Sequence, residues 1–226
     1  SGNHLLSWGS TGTGNGQFNQ PQGVLVGNDG YIYTSEITNN RIQKFDTNGN
    51  YISQWPIAVT SPAYALQTWG LAMDSQQNIY VATNIKDGPG LYVPTNSVIQ
   101  KYDTSGNLLL QWGSEGAGDG QFRFASSYPK IAIDSSDGIY VSDVGNSRIQ
   151  KFDTNGTFVF KIGGDGPGYQ GRGSDPGQFS SQYDIAVDTL NNLYVTDPSN
   201  DRIQKFDSNG AFLQLWPSTE LLSGLS

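Results

Sequence analysis

A six-residue string, Arg41-Ile42-Gln43-Lys44-Phe45-Asp46, returns three more times along the chain. It reads VIQKYD at 98–103 and RIQKFD at both 148–153 and 202–207, at start-to-start intervals of 57, 50 and 54 residues. The same order of segments surrounds each copy. An apolar run comes first: Val24-Leu25-Val26, Leu71-Ala72-Met73-Asp74, Ile131-Ala132-Ile133-Asp134 and Ile185-Ala186-Val187-Asp188. A polar turn leads to an aromatic-centred run: Tyr31-Ile32-Tyr33, Ile79-Tyr80-Val81, Ile139-Tyr140-Val141 and Leu193-Tyr194-Val195. Beyond the hexamer lies a turn at Asn48-Gly49, Ser105-Gly106, Asn155-Gly156 or Asn209-Gly210, then a closing run at 51–55, 108–112, 158–162 or 212–216. Apolar runs flanking Asn-Gly signal a hairpin, because a tight primed turn needs positive φ at both central positions. Each unit therefore reads as four short antiparallel strands, a to d.

A unit of about 50 residues is marginal as an independent core, and a single four-stranded sheet leaves both faces unburied. Stacking such units buries each against the next, which is the β-propeller solution. The expectation is an all-β propeller of four-stranded antiparallel blades, a single domain over 1–226. Four complete blades fall at 18–55, 68–112, 122–162 and 179–216, with a surplus N-terminal strand at 3–9. That stretch, Asn3 to Gly9, repeats the pattern of Leu108 to Gly113, so five d strands stand against four sets of a, b and c. Three readings follow: further blades before residue 1 or after residue 226, a surplus strand that pairs with another molecule, or a closed four-bladed ring carrying a fifth strand on one blade. An exposed edge is a template for strand addition, which makes His4, Leu5, Leu6 and Trp8 the candidate assembly strand.

Gly-rich segments ending in Gln-Phe, 10–18 and 114–122, with a longer version at 164–179, connect one unit to the next. A phosphate-binding loop would need a helix N-terminus after it, and no helix is legible here. The closing Phe is expected to plug the gap between blades. The link from Pro56 to Thr68 lacks this motif. In the second unit the b-to-c connection is ten residues longer than in the first, with Leu91-Tyr92-Val93 near its tip. Loops vary without disturbing a core, so Lys86, Asp87, Leu91, Tyr92 and Val93 form a candidate interaction loop.

The net charge of −8 and pI of 4.4 argue against a nucleic-acid partner, because no basic footprint is available to release phosphate counterions. Cysteine is absent, which removes disulfides, thiolate metal ligands and a cysteine nucleophile. No apolar run reaches the 18 or so residues of a membrane span, and residues 1–10 lack a signal-peptide core. Only 14% of residues are charged, so Ser, Thr, Asn and Gln must supply the polar surface, a balance that points outside the cell or to its surface.

The assembled unit runs Gly-Gln-Phe, an a strand ending at Asp, Tyr-Val-x-Asp, Asn-x-Arg-Ile-Gln-Lys-Phe-Asp and a closing Trp-Gly. It resembles the NHL repeat over nearly the whole chain. The resemblance implies blades with the innermost strand first, commonly in a six-bladed ring. It implies no single activity, since family members bind proteins and RNA while relatives include lyases and lactonase-like hydrolases. The repeat's acid falls on Glu36, Asp143 and Asp197, with Asn84 replacing it in the second unit. Its Arg falls on Arg41, Arg148 and Arg202, with Val98 as the replacement. These acid–Arg pairs read as scaffold, pairing with each other or satisfying turn amides.

His4 is the single histidine, which rules out a three-His zinc site, and its place in the opening d strand, the outer edge of a blade, speaks against a Ser-His-Asp triad in the central channel. The nearest calcium-like cluster, Asp134-Ser-Ser-Asp137-Gly138, loses its second acid in the other repeats and reads as an a-to-b turn. Asn155-Gly-Thr157 is an N-glycosylation acceptor pattern. Tyr64, Trp69, Tyr92 and Tyr128 are candidate sugar-stacking rings, and the tryptophans that close the d strands read as packing residues. The reading that results has no catalytic residues, no metal and no cofactor. It describes an extracellular or cell-surface binding or structural module with a protein partner or with copies of itself, as a homo-oligomer or filament, and with carbohydrate as a further ligand class. The alternative is a lyase or hydrolase with a carboxylate-lined metal site in the central channel.

Overall fold

The computed structural model describes residues 2–58, 64–86, 95–124, 128–164, 172–180 and 184–217. Blade 1 comprises β3 (Pro21–Val26), β4 (Ile32–Glu36), β5 (Arg41–Phe45) and β6 (Tyr51–Pro56), preceded by the two-residue strands β1 (Ser10–Thr11) and β2 (Gln17–Phe18). Blade 2 comprises β7 (Tyr64–Met73), β8 (Ile79–Lys86), β9 (Thr95–Tyr102) and β10 (Leu108–Trp112). Blade 3 holds β11 (Ile131–Ile133), β12 (Ile139–Asp143), β13 (Arg148–Phe152) and β14 (Phe158–Gly163). Blade 4 holds β15 (Ile185–Val187), β16 (Leu193–Asp197), β17 (Arg202–Phe206) and β18 (Phe212–Pro217). Each blade is a four-stranded sheet in sequence order with antiparallel ladders. The chain divides into two compact units, 1–109 and 110–226, with the division inside β10.

The hexamer ends in Asp because that residue holds the next turn. Asp46 Oδ1 accepts the amides of Asn48 and Asn50 at 2.9 and 2.8 Å, and Asp103, Asp153 and Asp207 repeat the arrangement. The turn differs from the primed form expected. Gly49, Gly106, Gly156 and Gly210 carry positive φ, whereas the residue before each does not. Gly49 N–H donates to the Asp46 carbonyl at 3.0 Å, closing a turn whose glycine alone is left-handed, as in the longer hairpin loops. The Asp side chain supplies the amide acceptor that a second left-handed residue would otherwise make unnecessary.

Alternation gives every blade two faces. The pairings Ser35↔Ile42 and Ile42↔Trp55 put Ile42 and Trp55 on one face with Tyr33, here called the back. The pairings Val24↔Thr34 and Ile32↔Phe45 put Val24, Val26 and Phe45 on the front. The core of the first unit packs the back of blade 1, Tyr33, Ile42 and Trp55, on the front of blade 2, Leu71, Ile79, Val81 and Tyr102. The second unit repeats this with Tyr140, Ile149 and Ile162 of blade 3 on Ile185, Leu193, Val195 and Phe206 of blade 4. Phe179 joins that core between Gly163, at the end of β14, and Phe206, so in this unit the connector ring fills the space between blades.

In blade 2 the b-to-c hairpin continues past the point where the others turn. Thr83↔Val98 matches Glu36↔Arg41, so Thr83, and not Asn84 as expected, stands at the acid's position, and three further pairs, Asn84↔Ser97, Ile85↔Asn96 and Lys86↔Thr95, extend the hairpin. Residues 3–9 differ from the expected strand in having no ladder. The a, b and c strands that would complete their sheet are not among the described residues, and the first strand begins at Ser10.

Candidate interaction surface

The repeated acid–Arg pair sits at the b-to-c turn and clamps the connector. Arg41 Nε lies 2.6 Å from Glu36, Arg148 Nε 2.7 Å from Asp143 and Arg202 Nε 3.0 Å from Asp197. The remaining guanidinium hydrogens of Arg148 donate to the carbonyls of Ala117, Gly118 and Gln121 at 2.8 Å each. Arg41 reaches Thr13, Gly14 and Gln17 in the same way, and Arg202 reaches Ser174, Asp175 and Gln178. Asn39, Asn146 and Asn200 donate to the carbonyls of Gly12, Gly116 and Gly173. The acid accepts the amide that follows the connector Phe: Asn19, Arg123 or Ser180. These buried charges are consumed by backbone groups that lack ladder partners.

Blade 2 lacks the acid, the Arg and the Gly-rich connector together. Gln100 Nε2 donates to the Ala58 carbonyl at 2.7 Å, and the Ala58 amide donates to the Tyr102 hydroxyl at 2.8 Å. Burial first of all pushes that hydroxyl up to about 12, so it stays protonated and donates to Gln100 Oε1. Ile57 is buried beside them where the other connectors place Phe.

A second polar set, missed in the sequence, lies on the back faces. The Asp that ends strand a pairs with the hexamer Lys: Asp74–Lys101 at 3.4 Å, Asp134–Lys151 at 2.9 Å and Asp188–Lys205 at 3.8 Å. The Tyr of strand b lies beneath each ammonium, 4.7 to 5.2 Å from ring centroid to Nζ, within cation–π range. Blade 1 has Gly27 where the others have Asp, and Asp29 supplies the carboxylate instead, 3.2 Å from Lys44 and 2.6 Å from the Tyr33 hydroxyl. Burial pushes Asp29, Asp74 and Asp134 up, but hydrogen bonds and the neighbouring Lys outweigh it and hold all three below the ordinary carboxylate range. A constant spacing was the available signal: Asp134 to Lys151 and Asp188 to Lys205 both span 17 residues, and Asp74 to Lys101 spans 27, the same plus the ten-residue insertion.

Of the remaining candidates, Asp87, Leu91, Tyr92 and Val93 lie outside the described residues, and Lys86 is the last residue of β8. Trp69 is buried, Tyr128 is exposed, and Tyr64 begins β7. Asp134 Oδ1 accepts the amides of Ser136 and Gly138, so its cluster is a turn. Among the described residues no group of three or more His, Asp or Glu is placed to hold a metal ion. Asn155 is exposed at the turn between β13 and β14. No helix among the described residues is long and apolar enough to cross a membrane.

The N-terminal segment and the front of blade 1 form an open apolar groove of about 410 Å³, lined by Leu6, Trp8, Phe18, Pro21 and Val24. Trp8 rests on Phe45, with ring centroids 6.2 Å apart, and covers Gly49, where a Cβ would come within 2.7 Å of the indole. His4 Nε2 lies 2.8 Å from Ser7 Oγ, a local contact beside the groove. Leu5 projects into solvent.

Four-stranded blades with repeated connector clamps define a repeat protein of the β-propeller class. Residues 130–152, spanning β11 to β13, match the family model of the NHL repeat. The chain is 23% identical over 175 residues to human NHL repeat-containing protein 3, an alignment covering 71% of this chain and 47% of that protein. Among solved structures it is similar to a streptogramin B lyase, with a TM-score of 0.59, 18% identity, and coverage of 87% of this chain and 54% of the other. A gluconolactonase from Xanthomonas campestris gives a TM-score of 0.56 at 15% identity, covering 88% and 62%. The chain thus spans about half to three-fifths of the length of these proteins, and the likeness to the two enzymes is one of fold.

Proposed function

We propose that this chain is a non-enzymatic binding or structural module, working outside the cell or on its surface, that associates with further copies of itself through the open front of blade 1 around residues 3–9. The observation that carries this reading is the contrast between equivalent positions: Val24 and Val26 are 71% and 73% exposed, while Leu71 and Ile185, the counterparts of Val24, are each 8% exposed. In this repeat the front face is a packing surface, and on blade 1 no described strand covers Val24 and Val26. The composition, poor in charged residues, supports the extracellular setting. The polar clusters described above support a scaffold role, because each is spent on connector, turn or strand.

The test is the solution mass of the chain by light scattering over a concentration series, beside a Val24→Asp/Val26→Asp double variant. Both side chains are largely exposed, so the charges leave the blade folded while spoiling an apolar contact. The wild-type mass rises with concentration and the variant stays near 24.4 kDa. A wild type that remains monomeric throughout overturns the reading.

A further inference from the structure

The acceptor tripeptide Asn155-Gly156-Thr157 lies at the turn between β13 and β14 of blade 3. It is the one Asn-x-Ser/Thr pattern in the chain, so a modification of this kind is assignable to a single residue. Blade 3 has a described blade before it and another after it in the sequence.

The equivalent turns of the other blades show which amides are spent on the fold. In blades 1 and 2 the residue after the turn glycine is Asn50 or Asn107, and its Nδ2 donates to Oδ2 of Asp46 or Asp103 at 2.8 or 2.7 Å. Those side chains brace the turn. Asn155 stands one residue before the glycine, and its backbone amide donates to Asp153 Oδ1 at 2.9 Å. Its side-chain amide has no hydrogen-bond partner among the described residues, and the residue is exposed. Gly156 is fixed by packing, with φ of +75° and the Trp112 indole 2.8 Å from where a Cβ would lie. Thr157 is not: blade 4 has Ala211 in its place, and both residues donate the backbone amide to the turn Asp at 2.8 Å. The turn therefore closes without a hydroxyl at that position.

We infer that Asn155 carries an N-linked oligosaccharide. This rests on the extracellular setting proposed above. In the transfer, Asn155 Nδ2 bonds to the anomeric carbon of a polyprenyl-pyrophosphate-linked oligosaccharide, the polyprenyl pyrophosphate leaves, and the amide gives up one proton. The tripeptide supplies the acceptor, and the folded turn accommodates the product, because substituting Nδ2 removes no hydrogen bond of the turn. The sugar also shields apolar surface. Val159, two residues past Thr157, is 53% exposed and is left unpaired where the register shifts between Phe158 and Phe160.

The test is to secrete the chain from a eukaryotic cell behind a cleaved leader. Its intact mass is read before and after peptide-N-glycosidase, which removes the sugar and converts the acceptor to aspartate. The wild type carries one glycan, whereas Asn155→Gln and Thr157→Ala carry none. Thr157→Ala folds, as blade 4 does with Ala211. Ala211→Thr builds the same tripeptide on the matching turn of blade 4 and gains a second glycan. The glycosylated wild type unfolds at no lower temperature than Asn155→Gln. A bare wild type overturns the inference, as does a glycan that survives Asn155→Gln or Thr157→Ala. So does an Ala211→Thr chain without a second glycan, or a glycosylated wild type that unfolds before Asn155→Gln. Self-association is measured separately, on chain made in a bacterium that lacks the transferase, so a monomer there sinks the self-association reading and leaves this one standing.

Discussion

Asp143 and Arg148 show what a repeated charge does when it is buried. Their side chains are 0% and 1% exposed, and between them they accept or donate hydrogen bonds to Asn146, Gln150, the Arg123 amide and three connector carbonyls. Such a pair adds little net stability over an apolar replacement, but removing one partner leaves the other charged and unpaired. Asp143→Ala therefore costs roughly 3–5 kcal/mol, read as a lowered urea midpoint. The five-residue spacing made the pairing legible in sequence. The connector carbonyls were not, because they lie 27 to 31 residues upstream of Arg148 and their approach depends on how the Gly-rich segment folds back. Asp29 was invisible for a similar reason. Alignment by position puts Gly27 opposite Asp74, and only the turn geometry lets a carboxylate two residues later reach Lys44.

At the scale of the element, strand order followed directly from the fourfold periodicity, since hydrophobic alternation and turn residues recur in every copy. Turn type did not follow, because Asn-Gly fits both a primed turn and the longer Asp-anchored one found here. The glycine is needed in either case. Gly106 has φ of +89° and lies under the Trp55 indole, so Gly106→Ala meets both a left-handed backbone and a packed ring. It destabilises by about 2 kcal/mol or more, and thermal unfolding of the variant measures this. The ladder of blade 2 accepts three extra pairs without moving the Asp74–Lys101 contact, which shows why insertion was tolerated at that turn.

For the whole molecule, acid is the informative perturbation. Asp29, Asp74 and Asp134 titrate lower in the folded chain than in an unfolded one, where Asp lies near ~3.9. The stability they contribute is complete above that value and is lost as pH falls through the folded values. The urea midpoint therefore drops between about pH 5 and about pH 2, and Asp134→Asn flattens that slope. Each of the two compact units carries the same kind of core, a back face on a front face. The sequence pattern read residues 3–9 as a surplus strand, and a strand count could not say what covers Gly49, because that depends on what Trp8 touches. Indole emission responds to the polarity around the ring. With Trp8 held between Phe45 and the Gly49 turn, and Trp55 and Trp69 fixed in the interior as unchanging references, the chain carries an intrinsic optical gauge of whether that turn is covered.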